Sequence, residues 1–139
     1  MVAHAAKFQG QSALLSKEIL AYYRQVSQSP LTVVDIETTG ALGHNARVIE
    51  VSILHASLAT GIEHQETHLM NPRVKIPEFI TDITGITPEM VYPSRPPEDI
   101  WPECLPLLIE GDRVFTAHNL DFDYSFIRTE YKRLSLIHI

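Results

Sequence analysis

A chain of 139 residues suits one domain, and because it has neither a run of 18 apolar residues nor a secretory signal, we expect no membrane span. Its formal charge of −6, with the Lys and Arg scattered, argues against a protein that coats long nucleic acid but does not exclude an enzyme. The single cysteine, Cys104, excludes an intrachain disulfide and a cysteine-based zinc site, so a reducing, cytoplasmic setting is expected.

The N-terminal part contains one predicted helix. Residues 1–11 lack periodicity, whereas apolar positions recur at helical spacing after Ser12, a candidate N-cap. The pattern predicts an amphipathic helix over about 13–26 that ends before Pro30. We interpret it as a helix that packs on the following domain rather than one that binds a partner.

Three strands are predicted next. The β-branched run 31–37 is typical of a strand, and it stops at a turn that contains Gly40. Residues 47–58 and 62–70 predict two more strands. The intervening segment 59–61 predicts a hairpin turn, so these two strands are expected to pair antiparallel.

Short helices follow. The spacing after Pro77 predicts a helix that ends near Gly85, and the Thr87-Pro88 pair predicts another helical turn. Residues 98–110 have helical content, although two prolines lie inside this segment.

The two interior prolines, Pro102 and Pro106, predict a kinked or split helix, because each removes a backbone hydrogen bond. A fourth strand over 113–118 and a last helix over 121–133 follow. The order predicts an α/β chain with a mixed sheet that stops before the fold is closed.

The first strand ends in two carboxylates, Asp35 and Glu37. Because alternate residues of a strand leave the same face, both side chains lie together while Ile36 points into the core. The two charges repel each other unless a proton or a cation lies between them. Oxygen ligands without a nearby His or Cys suit Mg²⁺ or Mn²⁺, although acidic residues at a strand end also often simply meet water.

Three segments together resemble the DEDD exonucleases, the family that includes the epsilon proofreading subunit of bacterial DNA polymerase III. Residues 33–40 (VVDIETTG) match the first motif, stretches within 71–87 match a connecting region, and residues 117–123 (AHNLDFD) match the second motif. The resemblance implies a ribonuclease H-like mixed sheet flanked by helices, incomplete at the C-terminus. It divides the chain into an N-terminal extension over 1–29, an exonuclease domain over 30–133 and a tail over 134–139.

The resemblance implies metal ligands. Asp35, Glu37 and Asp123 would be the catalytic carboxylates that hold two Mg²⁺ or Mn²⁺ ions. Asp121 competes with Asp123 for the third place, since spacing alone does not separate them. The family pattern places the ligand directly after the Phe, and Asp121 is then interpreted as the N-cap of the last helix.

Other residues are assigned to the substrate or to support. Those expected to meet the terminal nucleotide are Thr38, Thr39, Thr84, Ile86 and Asn119. Glu50 is expected in a structural or supporting place, and His118 is interpreted as a packing residue.

The implied chemistry is two-metal phosphodiester hydrolysis that releases nucleoside 5′-monophosphates from a 3′ end. One ion would activate a water and the other would stabilise the leaving 3′-oxygen. The implied partners are single-stranded nucleic acid, with DNA favoured over RNA, and a DNA polymerase if the enzyme proofreads. The alternatives are a 3′–5′ exoribonuclease similar to oligoribonuclease or RNase T, a phosphatase, and a non-catalytic exonuclease-fold binding protein.

The chain departs from the family pattern after Asp123. The family's third motif, a His followed later by an Asp, supplies the general base and the fourth carboxylate. His138 is the only later histidine and no Asp follows it. Residues 134–139 also resemble the translation of a transposon-end sequencing adapter, so we interpret them as a non-native tail. We therefore expect an active full gene product and a nearly inert, poorly stable chain.

Overall fold

A computed structural model describes residues 17–42 and 45–135 of the chain. The elements in chain order are α1 (Lys17–Gln28), β1 (Leu31–Thr38), β2 (Val48–Ser57), β3 (Gly61–Leu69), α2 (Glu78–Thr84), α3 (Pro88–Val91), α4 (Pro97–Ile109), β4 (Val114–Thr116) and α5 (Leu120–Arg133). The expected start of the first helix near Ser12 lies outside the described residues. Within them, no helix has the length and apolar character needed to cross a membrane.

The four strands form one mixed sheet in the order β3-β2-β1-β4. β1 pairs antiparallel with β2 and parallel with β4, and β2 pairs antiparallel with β3. The predicted mixed sheet and the predicted hairpin between β2 and β3 are therefore confirmed. The register places Asp35 opposite Ser52 and Glu37 opposite Glu50, with an irregularity directly after Glu37.

Burial alternates along β1 and β2, so one face of the sheet forms the main core with α4 and α5. Its members include Val34, Ile36, Val51, Ile53, Ile100, Trp101, Cys104, Phe126, Ile127 and Tyr131. A second cluster joins Ile49 of β2 to α2, α3 and the segments beside them. α2 ends at Gly85, whose φ of 75° is the left-handed conformation that glycine adopts most easily.

The sequence predicts a kinked or split helix at the interior prolines, and the split is wrong because helix α4 is continuous from Pro97 to Ile109. Pro102 and Pro106 lie one turn apart, and both are exposed. The carbonyls that lose their N–H donors, those of residues 98 and 102, consequently lie on the solvent side of the helix. Water can satisfy them there, which removes much of the cost of an interior proline.

A buried hydrogen bond joins the two core helices. The Tyr131 hydroxyl donates to the Trp101 carbonyl at 2.8 Å, and the two rings meet edge to face with centroids 5.3 Å apart. We expect Tyr131→Phe to lower the free energy of unfolding by about 1–2 kcal/mol, because the two helices lose a buried hydrogen bond. Urea denaturation measures the change. The exposed Tyr124 provides the matched control, and an equal loss in Tyr124→Phe would contradict the assignment.

Candidate active site

Three carboxylates meet across β1 and β2. Asp35 is exposed and Glu37 is half-buried on the same face of β1, while Ile36 between them is buried in the main core, as expected from the strand period. Glu50 lies directly across from Glu37 on β2 and is also half-buried. The acidic group at the end of β1 therefore consists of carboxylates from two strands, β1 and β2.

Asp123 adds a fourth carboxylate from the first turns of α5. Its side chain is buried, with 3% exposure, and it accepts a hydrogen bond from the Ile36 backbone N–H. That N–H is free because β4 pairs with β1 only over residues 31–33, so the next part of this edge of β1 has no strand beside it. Asp123 thus fixes the start of α5 against the carboxylate end of β1.

Asp121 takes a different position. The N-cap of α5 is Asn119, whose carbonyl accepts the Asp123 N–H at 3.0 Å, so the interpretation of Asp121 as the N-cap is wrong. The helix begins at Leu120, one residue earlier than predicted, which makes Asp121 the second helical residue. Its side chain is exposed, whereas that of Asp123 is buried at the site.

Burial and neighbouring charges raise the affinity of Glu37, Glu50 and Asp123 for protons. Burial, followed by the charges of Asp35, Glu50 and Asp123, raises the pKa of Glu37 above its usual range. Burial and the Asp35 charge also raise the pKa of Glu50 and, despite the Ile36 hydrogen bond, the pKa of Asp123. A cluster with this property favours the binding of protons or of cations.

The donor set fits hard divalent cations, because all four groups offer oxygen ligands of the kind that Mg²⁺ and Mn²⁺ prefer. No three ligand atoms of this acidic group lie within 4.8 Å of one another; among the described residues, only a group elsewhere in the fold is that compact. The acidic group is therefore more open. An open arrangement suits a pair of ions, which lie roughly 3.5–4 Å apart in two-metal sites and share ligands around both.

The turn after β1 is held by the two threonines that the sequence assigned to substrate. The Thr38 hydroxyl donates to the Gly40 carbonyl at 2.6 Å, and the Thr39 hydroxyl accepts the Arg47 N–H at 2.9 Å. Both residues are buried, with exposures of 6% and 8%. Their side chains therefore fix the chain direction immediately beyond the carboxylates.

The other residues assigned to substrate lie in two places. The Thr84 hydroxyl donates to the Ile80 carbonyl and accepts the Ile86 N–H, and Ile86 is buried in the second cluster beside Ile49. These contacts hold residues 84–86 next to Ile49, the residue that precedes Glu50. Asn119 is exposed at the start of α5, four residues before Asp123.

His118 is exposed, so its interpretation as a packing residue is wrong. β4 ends at Thr116, and the chain has left the sheet before His118. Glu50 is the site carboxylate that the sequence placed only in a supporting role. The signal that identifies it is the pairing register of β1 with β2, which a hydrophobic pattern does not fix to the residue.

Comparison with known proteins gives one family and one fold. The sequence model of the Exonuclease family matches residues 32–139. DNA polymerase III PolC-type of Caldanaerobacter subterraneus subsp. tengcongensis is 35% identical over 109 residues, which cover 78% of this chain and 8% of that protein. The same enzyme of Staphylococcus haemolyticus is 32% identical over 111 residues, which cover 80% and 8%. This chain thus spans less than a tenth of the length of these relatives.

Solved structures of exonuclease I share the fold. The product-bound structure superposes with a TM-score of 0.70 at 19% identity, over 77% of this chain and 26% of that one. Escherichia coli exonuclease I in complex with a dT13 oligonucleotide gives 0.69 at 19% identity, over 77% and 24%. The ribonuclease H-like mixed sheet expected from the motifs is therefore confirmed.

Proposed function

This chain belongs to the Exonuclease family. From that membership we propose that it forms part of a metal-dependent 3′–5′ exonuclease that acts on DNA and releases nucleoside 5′-monophosphates. The observation that carries the proposal is the convergence of Asp35, Glu37 and Asp123 at one end of β1. The domain that performs this chemistry is proposed to comprise residues 30–133, with 1–29 as an extension and 134–139 as a tail.

We propose that Asp35, Glu37 and Asp123 hold two Mg²⁺ or Mn²⁺ ions, with Glu50 supporting them from β2. When bound, these ions supply the positive charge that activates an attacking water and neutralises the leaving 3′-oxygen. Asp123 holds its place through the Ile36 N–H, which keeps its carboxylate beside β1. Thr38 and Thr39 hold the turn that a strand end would approach, and Thr84, Ile86 and Asn119 are proposed to border the terminal nucleotide.

DNA is the proposed substrate because the relatives are DNA polymerases and a neighbour in fold binds a dT13 oligonucleotide. The polymerase relatives also support proofreading, with a DNA polymerase as the proposed partner. Selection of RNA would need a contact to the 2′-hydroxyl, and none of the described site residues is assigned to such a contact.

Turnover by the 139-residue chain itself is expected to be slow. After Asp123 the sequence holds one histidine, His138, and no Asp follows it. A positioned general base contributes roughly 10²–10⁴-fold in rate. Without one, the rate enhancement comes only from the carboxylates and the cations. The test therefore uses excess protein and long incubation.

We expect a 5′-labelled single-stranded oligodeoxynucleotide to shorten stepwise in Mn²⁺, with the label retained on the shortened product. EDTA is expected to abolish shortening, because it removes the cations that the proposed reaction needs. Denaturing electrophoresis resolves the products, and an oligoribonucleotide of the same sequence measures the preference for DNA.

A 3′-terminal block on the same oligonucleotide is the matched control for polarity and should prevent shortening. Release of the label as a mononucleotide would contradict 3′–5′ polarity. Shortening that persists in EDTA would contradict the metal-dependent mechanism.

A further inference from the structure

A second group of ligand atoms lies away from the acidic site, between β3 and α4. The side chains of Glu66 and His68 lie on the same face of β3, where these residues pair with the core residues Ile53 and Val51 of β2. Cys104 faces them from α4. One ligand atom of each, a carboxylate oxygen, a ring nitrogen and the Cys104 sulfur, lie within 4.8 Å of one another. No other three described residues form such a group.

The hydrogen bonds and the burial of these side chains leave one side of the group accessible to an ion from solvent. The His68 Nε2 lies 3.0 Å from one oxygen of Glu66, and the His64 Nε2 lies 3.1 Å from the other. The Cys104 side chain is fully buried, whereas about a quarter of the His68 and Glu66 side chains is exposed. The group is therefore closed on the α4 side and reachable from solvent at the edge of the sheet.

We propose that Glu66, His68 and Cys104 form a Zn²⁺ site, distinct from the oxygen-only acidic site. A thiolate, an imidazole and a carboxylate are the three ligand types that Zn²⁺ takes in proteins. Zinc bond lengths of about 2.0–2.3 Å place tetrahedral ligand atoms roughly 3.3–3.8 Å apart. Because the three ligand atoms lie within 4.8 Å of one another, binding needs a contraction of at most about 1–1.5 Å, and a water completes the fourth position.

Charge balance favours this assignment. Binding releases the thiol proton of Cys104 to solvent, and the thiolate and the Glu66 carboxylate together neutralise the two charges of the ion. Burial and the nearby Glu66 and Glu103 charges raise the pKa of the Cys104 thiol to about 12. Zinc affinity is expected to increase with pH, because the ion binds the thiolate and the neutral imidazole and not their protonated forms.

The sequence alone excluded a cysteine-based zinc site because only one cysteine is present. The fold changes that conclusion, since it brings this cysteine to a His and a Glu that lie on the same face of β3. A bound ion would join the edge strand of the sheet to α4, so it should also raise thermal stability.

The test is Zn²⁺ titration of the 139-residue chain against a chromophoric chelator, in excess Mg²⁺ so that the acidic site does not compete for Zn²⁺. We expect one ion per chain. Glu66→Gln and His68→Gln should each weaken binding by at least about tenfold, and Co²⁺ in place of Zn²⁺ should give a thiolate-to-metal charge-transfer band that Cys104→Ser removes.

His64→Gln is the matched control, because His64 contacts the other oxygen of Glu66 but lies outside the group. It should leave zinc affinity within a few-fold of the parent. The proposal is overturned if the chain fails to take up Zn²⁺, if Co²⁺ shows no thiolate band, or if His64→Gln weakens binding as much as His68→Gln. None of these outcomes depends on nuclease activity, so the proposed function is tested separately.

Discussion

Asp123→Asn is expected to lower Mn²⁺-dependent hydrolysis by at least about a hundredfold, because it removes the carboxylate that joins α5 to the cation site. The amide keeps nearly the same shape and can still accept the Ile36 N–H. What it loses is the negative charge, so cation binding suffers while the backbone geometry is kept. Single-turnover rates on labelled DNA and Mn²⁺ titration followed by electron paramagnetic resonance measure the two effects.

In the absence of cations, the same variant is expected to be more stable than the parent at neutral pH. Burial and the Asp35 charge raise the pKa of Asp123, which means that its ionised form is unfavourable in the folded protein. An uncharged amide removes this cost. A purely structural Asp123 would give the opposite result, since the charged hydrogen bond to Ile36 would be weakened without a compensating gain.

Asp121→Asn provides the matched control, because Asp121 lies on the same turn of α5 but faces solvent. It should leave the hydrolysis rate, the Mn²⁺ affinity and the free energy of unfolding within a small margin of the parent. A loss of activity in Asp121→Asn with full activity in Asp123→Asn would reverse the assignment of the third ligand.

Local patterns predicted the central part of the site. The two-residue period of a strand places Asp35 and Glu37 on one face without any knowledge of the rest of the fold. The hairpin at residues 59–61 likewise fixed the pairing of β2 with β3. Both features depend on neighbours in sequence, which is why the sequence sufficed for them.

Features that depend on strand register or on tertiary contacts were not predicted. Glu50 faces Glu37 only because β1 and β2 pair in one register, and a shift of one residue would turn its side chain to the other face. Cys104 meets His68 only because α4 packs beside β3. The continuity of α4 through two prolines likewise follows from which side of the helix faces solvent.

Mg²⁺ is expected to stabilise the chain at neutral pH by about 2.7 kcal/mol at a concentration one hundred times its dissociation constant. The cause is the acidic group, whose mutual repulsion the cations relieve only in the folded state. Thermal denaturation with and without Mg²⁺ measures the gain, and NaCl of equal ionic strength controls for general screening of charge. Mg²⁺ also avoids the group formed by Glu66, His68 and Cys104, since it prefers ligand sets made only of oxygen atoms.

This stabilisation should shrink as the pH falls from neutral through the raised pKa values of the acidic group, because protons replace the cations. The pKa values of Glu37, Glu50 and Asp123 are raised in the folded protein, so it binds more protons than the unfolded chain does. The stability that these protons contribute is complete below the ordinary values of 4.5 for Glu and 3.8 for Asp, and it is lost as the pH rises through the raised values. Groups elsewhere, such as Glu63, contribute equally to the free energy of unfolding with and without Mg²⁺. Their contributions therefore cancel when the two free energies are subtracted. A Mg²⁺ increment that stayed constant across this range would show that the ions bind somewhere other than these carboxylates.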